Sequence, residues 1–235
     1  MFGTTIVGYW PCDEPSGTIL YNHAGIGNSN ALNGVISSSR FVYPGIGDRR
    51  NALNLNVTTG FLNIYTADLN SAFSKTEGAV SIWVGTTSTN VWTDGLAHFI
   101  FSLATASALD TIVLQKTATN GTLSITVTGN STARTKTYSI GTTLIGWFHF
   151  GLTWSSSGGY IHAYVNGVEF TGATELAYPA FSAGALLSTQ CVIGNQTTSA
   201  SVAWQGSLAH CLLLNRAISA NEMLDVYNYP IRLKR

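Results

Sequence analysis

The sequence predicts an all-β fold, a sandwich of two antiparallel sheets with one short C-terminal helix, and three observations carry that expectation. First, Phe148, Phe150, Leu152 and Trp154 fall on every second position of a run that passes through a Ser/Gly turn into Ile161, Ala163 and Val165, then Asn166-Gly167. A period of two puts alternate side chains on one face of a strand, and Asn-Gly tolerates the positive φ angles of a type I′ hairpin turn. Second, Leu123, Ile125 and Val127 alternate with Thr122, Ser124, Thr126 and Thr128, the pattern of a sheet with one buried and one wetted face. Third, turn signals recur every 8 to 12 residues or so, the spacing of a sandwich.

Taken in order, residues 4–10 read as the first strand, followed by a loop rich in Gly, Asn and Ser from Pro11 to Ala31. Short strands are expected at 52–57 and 61–65, with a helical turn over 69–75. Val80, Ile82 and Val84 alternate with Ser81, Trp83 and Gly85 and make the next strand, and 90–95 reads as a loop. Strands at 97–103 and 111–116 lead to the Asn120-Gly121 turn, and 134–140 would pair with the Leu123–Val127 strand. The central hairpin is followed by strands at 168–171, 190–193 and 203–214. Ser219 with Glu222 three residues on is a capping box that starts a helix to about Tyr227, and Pro230 ends it. No linker or internal repeat interrupts the pattern. Residues 1–229 are therefore expected to form one domain and 230–235 a short basic tail.

Three blocks carry a family resemblance. "GWFHFGLTW…GGYIHAYVNGV" over 146–168 resembles the central hairpin of the laminin-G-like members of the concanavalin A-like lectin/glucanase superfamily. Gly8 to Gly17, "GYWPCDEPSG", is similar to that group's opening block, and Gln205 to Ser219 to its closing strand. The blocks come in the right order and span residues 6–229. The resemblance implies a jelly-roll sandwich, and the chain is similar to stand-alone, phage-type proteins with this domain. It also makes the first and last strands neighbours, so a Cys12–Cys211 bridge is conceivable. The default for Cys12, Cys191 and Cys211 is otherwise three small buried hydrophobes, because no CxxC or metal spacing is present.

Composition narrows the function. Eleven basic residues balance eleven acidic ones, which speaks against an electrostatic nucleic-acid binder. Only 9% of residues are charged, so little repulsion keeps copies apart and a homo-oligomer is expected. No apolar run reaches the length of a membrane helix. The N-terminal residues lack a basic region and apolar stretch before a cleavage site, so synthesis in a cytosol is expected.

No familiar catalytic pattern fits the sequence. Sugar hydrolysis by two carboxylates is disfavoured because none of Glu14, Glu77, Glu169, Glu175 and Glu222 stands two residues from an Asp, as the glucanase relatives' Glu-x-Asp-x-x-Glu requires. There is no Gly-x-Ser-x-Gly, HExxH or Walker pattern. His98, His149 and His162 lie in strand runs and read as covered side chains bonded to neighbours. Members of the resembled family often hold calcium, which makes calcium the weak alternative to no cofactor. Here Asn22 stands where the family often has Asp, and Ala209 and His210 replace an acidic pair, although Asp13 and Glu14 remain. Among the aromatics, Trp10, Trp83, Trp147, Trp154 and Trp204 occupy strand or motif positions and read as packing. Trp92 sits in the predicted 90–95 loop between Asn90 and Asp94, a stacking ring flanked by polar oxygens, and is the first candidate for a ligand contact. Tyr43 is the second.

These readings favour a non-enzymatic virion structural protein, a capsid decoration, head-fibre or tail-associated subunit of a phage, located on the virion and presenting a glycan-binding surface. Its partners would be copies of itself, other virion proteins and cell-surface glycans, with neither nucleic acid nor membrane, and the tail 230–235 would serve as anchor. The alternative is a free-standing carbohydrate-binding or adhesion module of a cellular organism.

Overall fold

The computed structural model describes residues 5–24, 34–37, 40–42, 51–55, 57–105, 109–170, 176–179, 181 and 184–229. In chain order its first strands are β1 (Ile6–Trp10), β2 (Ile19–Leu20), β3 (Gly34–Ser37), β4 (Arg40–Val42), β5 (Ala52–Asn54) and β6 (Phe61–Asn63). The helix α1 (Ala67–Ala72), strand β7 (Glu77–Thr86) and helix α2 (Asn90–Thr93) follow. Next come β8 (His98–Thr105), β9 (Thr111–Lys116), β10 (Thr122–Gly129) and β11 (Thr132–Ser139). The central hairpin is β12 (Gly146–Ser155) and β13 (Tyr160–Val165), followed by β14 (Val168–Glu169) and β15 (Leu176–Ala177). The chain closes with β16 (Leu186–Ile193), β17 (Ser207–Leu214) and α3 (Ala220–Asn228).

The strands form two antiparallel sheets. One runs β14-β13-β12-β7-β17-β5-β4, with β1 paired to β17 and β15 to β13; the other runs β11-β10-β9-β8-β16-β6-β3-β2. Phe150 opposite Ile82 and Leu152 opposite Val80 show the expected alternation at work, since all four side chains point between the sheets. Trp10, Trp92, Trp154, Trp204 and Phe101 fill that space and are fully buried. This is the jelly-roll sandwich the sequence predicts, with one short C-terminal helix.

The outer face of the first sheet is covered at one end by α3. Met223 and Val226 pack there with Tyr9, Tyr164 and Leu212. Gly151 on β12 makes the approach possible, because a Cβ there would collide with the Met223 side chain. The capping box is formed: Ser219 Oγ accepts from the Glu222 amide at 3.3 Å, and Glu222 Oε2 accepts from the Ser219 amide at 2.9 Å. Arg216 binds the other carboxylate oxygen, and these hydrogen bonds pull the Glu222 carboxyl down to about 2.

Most element boundaries agree with the alternation within a few residues. Two loops carry more order than their composition suggests. Ile19–Leu20 pairs with β3, and 90–93, read as loop, is the short helix α2. Tyr43 and the tail 230–235 lie outside the described residues.

Candidate functional site

Past the end of α3, the outer face of the first sheet continues across β12, β7, β17 and β5. Register places Trp147 opposite Gly85, Gly85 opposite Ser207 and Ser207 opposite Asn54, one row across β12, β7, β17 and β5. These positions share parity with Trp83, Ala209 and Ala52, which cluster on the outer side, so the whole row faces outward. Gly85 has no side chain, and the half-buried Trp147 indole lies over it: a Cβ on Gly85 would stand 3.0 Å from the ring. Beyond Gly85 a cleft of about 240 Å³ opens between the 87–91 segment and the 205–207 segment. Asn54, Asn90, Gln205, Thr87, Ser88 and Ser207 line it with amides and hydroxyls, together with Gly85, Gly206 and Val91. Among the described residues, none that lines it is charged. Gly206 is required where it stands, because a Cβ there would collide with the Gly85 carbonyl oxygen.

The 87–91 wall is fastened from beneath. Trp92 on α2 is fully buried; its indole N–H donates to the Leu144 carbonyl at 2.9 Å, and its ring meets Trp204 and Phe148 edge-on. Two residues on, at the C-cap of α2, Asp94 accepts from Lys116 Nζ at 2.9 Å and meets His98 Nε2 at 2.5 Å. Lys116 is fully buried and also donates to the Leu96 carbonyl, while His98 Nδ1 contacts the Ala203 carbonyl. Burial alone would raise the Asp94 carboxyl, but hydrogen bonds from Lys116, the Leu96 amide and His98 outweigh it and hold the group below its ordinary value. Asp94→Ala would strand a buried lysine charge, and we expect it to cost about 2–3 kcal/mol. Chemical denaturation of the variant checks this; an unchanged midpoint would mean that the ion pair contributes nothing.

The sequence-selected residues thus separate. Asn90 lines the cleft. Asp94 is engaged in fastening its wall. Trp92 corrects the expectation of an exposed stacking ring: α2 turns its side chain into the core. Tyr43 lies outside the described residues. Trp147, read as packing, is the aromatic beside the cleft, and Asn54, Gln205 and Ser207 were not singled out at all. The signal for Trp147 was present, since alternation puts it on the face opposite Phe148 and Phe150. His98, His149 and His162 are, as expected, covered or hydrogen-bonded: His149 Nε2 meets Ser81 Oγ at 2.8 Å, and His162 Nδ1 meets Glu169 at 2.5 Å.

The calcium alternative centres on the loop after β1. There Asn22 Oδ1 accepts from the Tyr9 amide at 2.7 Å and the Ala24 amide at 3.0 Å, so a carboxamide serves the backbone. Asp13, Glu14 and His23 bring ligand atoms within 4.8 Å of one another, but Glu14 Oε1 accepts from the Tyr21 amide and an imidazole does not suit an ion that prefers oxygen.

Comparison with known proteins gives the fold its relatives. The binding domain of botulinum neurotoxin serotype D superposes with a TM-score of 0.64 at 13% identity, over 97% of this chain and 52% of that one. Trypanosoma rangeli sialidase in complex with sialic acid gives a TM-score of 0.68 at 13% identity, over 97% of this chain and 33% of that one. This chain therefore spans about half of the toxin domain and a third of the sialidase. Domain 4 of a GH43 extracellular arabinanase from Geobacillus stearothermophilus, solved in complex with arabinotriose, matches nearly end to end: TM-score 0.63, 16% identity, 95% of this chain and 98% of that one. No curated protein sequence matches. The sequence model described as the concanavalin A-like lectin/glucanases superfamily matches residues 58–223, more than two-thirds of the chain. The chain belongs to the concanavalin A-like lectin/glucanase superfamily.

Proposed function

We propose that this chain is a non-enzymatic glycan-binding module whose ligand seats a sugar residue in the cleft between the 87–91 and 205–207 segments, against Trp147. The observation that carries the reading is the pairing of one half-exposed indole with an uncharged lining of amides and hydroxyls. An indole face takes the C–H side of a sugar ring, and carboxamides both donate to and accept from its hydroxyls. The cleft is smaller than the roughly 300–1,000 Å³ of sites for drug-sized ligands, which suits a single sugar or a chain end. Among the described residues the lining holds amides and hydroxyls, groups suited to binding sugar hydroxyls, and no carboxylate or imidazole. A relative solved with arabinotriose, a neutral oligosaccharide, supports the ligand class.

A phage virion, the setting that the resemblance to stand-alone phage-type proteins implies, enters the proposal as a place where many copies would turn weak single-cleft contacts into firm attachment. The test is a glycan array followed by titration of the best neutral glycan. Trp147→Ala is expected to weaken binding at least tenfold with the fold retained, and Gln205→Ala to weaken it severalfold. Full affinity in both variants, or selection of charged glycans alone, would overturn the assignment.

A further inference from the structure

Where the first and last strands meet, the backbone is folded sharply to bring two thiols together. Antiparallel pairing of β1 with β17 sets Trp10 opposite Cys211. Two residues beyond Trp10, Cys12 takes φ of +63°, and across from it His210 takes φ of +47°. Both are left-handed conformations that side-chain-bearing residues rarely adopt. The His210 amide donates to the Pro11 carbonyl at 3.2 Å and holds the two bends against each other. The Cys12 side chain is thereby turned back into the core, with its thiol on the Trp10 carbonyl and on the thiol of Cys211. Both cysteines are free, both are buried, and both belong to the core between the sheets. Cys191 belongs to that core as well, but it lies on β16 of the opposite sheet, paired with Leu103.

We propose that Cys12 and Cys211 are a disulfide-forming pair, a thiol-modification site that locks β1 to β17 when the chain folds in the presence of a small-molecule disulfide. The step balances as two successive exchanges. One cysteine thiolate attacks a sulfur of the small disulfide and releases one small thiol. The second cysteine then attacks the mixed disulfide and releases the other small thiol. The two protein thiols are oxidised, the small disulfide is reduced, and the protons lost by the cysteines end on the two released thiols. In the finished fold both groups are shielded, so the exchange proceeds while the strands are still assembling. The bond would close a loop of nearly the whole described chain, and long loops gain most from closure in the chain-entropy view.

The test compares protein refolded with oxidised glutathione against protein refolded with reduced glutathione. Each sample is unfolded, alkylated and weighed. Oxidative refolding is expected to cut alkylatable thiols from three to one, to give a peptide pair joining Cys12 to Cys211, and to raise the melting temperature by roughly 5–15 °C. The reductant should reverse that rise. Cys191→Ser keeps the pair and should still form the bond, with alkylation falling to zero, so a folding defect in Cys12→Ser cannot mask the result. Three free thiols after oxidative refolding, stable glutathione adducts on Cys12 or Cys211, or a link through Cys191 would each overturn the assignment.

Discussion

Trp92→Ala is expected to lower stability by about 3–5 kcal/mol, the range for truncating a large aromatic in a packed core. The ring is fully buried against Trp204 and Phe148, and its N–H donates to the Leu144 carbonyl at 2.9 Å, so truncation leaves a cavity and removes the shorter of that carbonyl's two hydrogen bonds, the other coming from Thr86 Oγ1 at 3.3 Å. Trp92→Phe should cost less, since it keeps much of the volume and loses the hydrogen bond. Urea midpoints measure both. Glycan affinity at temperatures where the variant is folded should change less than in Trp147→Ala, because Trp92 acts on the cleft only through the wall that it anchors. An unchanged urea midpoint with abolished binding would return Trp92 to the role of an exposed contact.

Acidification from pH 7 to about pH 4 should cost roughly 3 kcal/mol through His149 alone. This imidazole is fully buried under α3, tilted against the Trp83 and Tyr227 rings, which stack on each other, and desolvation presses it down to about 3. In the unfolded chain it takes up a proton near its ordinary value of about 6.5. Between those two values the unfolded state holds more protons than the fold. Stability is therefore fully present above the unfolded value and drains away as pH falls toward 3. Asp94 and Glu222, held low by their partners, lose their contributions at lower pH, below the ordinary carboxylate range. His149→Gln should flatten the slope between pH 6 and pH 4, while leaving the more acidic limb in place. Parallel pH profiles for the variant and the natural protein would show that His149 does not set it.

The same two residues show what was legible in the chain and what was not. The alternation around His149 placed it on a strand, and the Ser219/Glu222 capping box announced the helix that covers it; only their packing made the imidazole buried. Trp92 looked exposed because its neighbours, Asn90, Thr93 and Asp94, are polar. Its burial depends on Leu144, Phe148 and Trp204, all far along the sequence, and no local pattern records contacts of that range. Asn90 was selected for being next to Trp92 and lines the cleft for a different reason, the position of α2 at the end of β7.

Period-two alternation, Asn-Gly turns and the capping box act between near neighbours, so the sequence by itself determined the two-sheet sandwich, the central hairpin and the C-terminal helix. Three ordered blocks likewise sufficed to indicate the superfamily. The cleft was decided only by tertiary structure. Trp147, Gly85, Ser207 and Asn54 sit on four strands that are remote along the chain and become one row through sheet register. Register is the outcome of packing every strand's apolar face at once, so a row across a sheet is a property of the assembled fold.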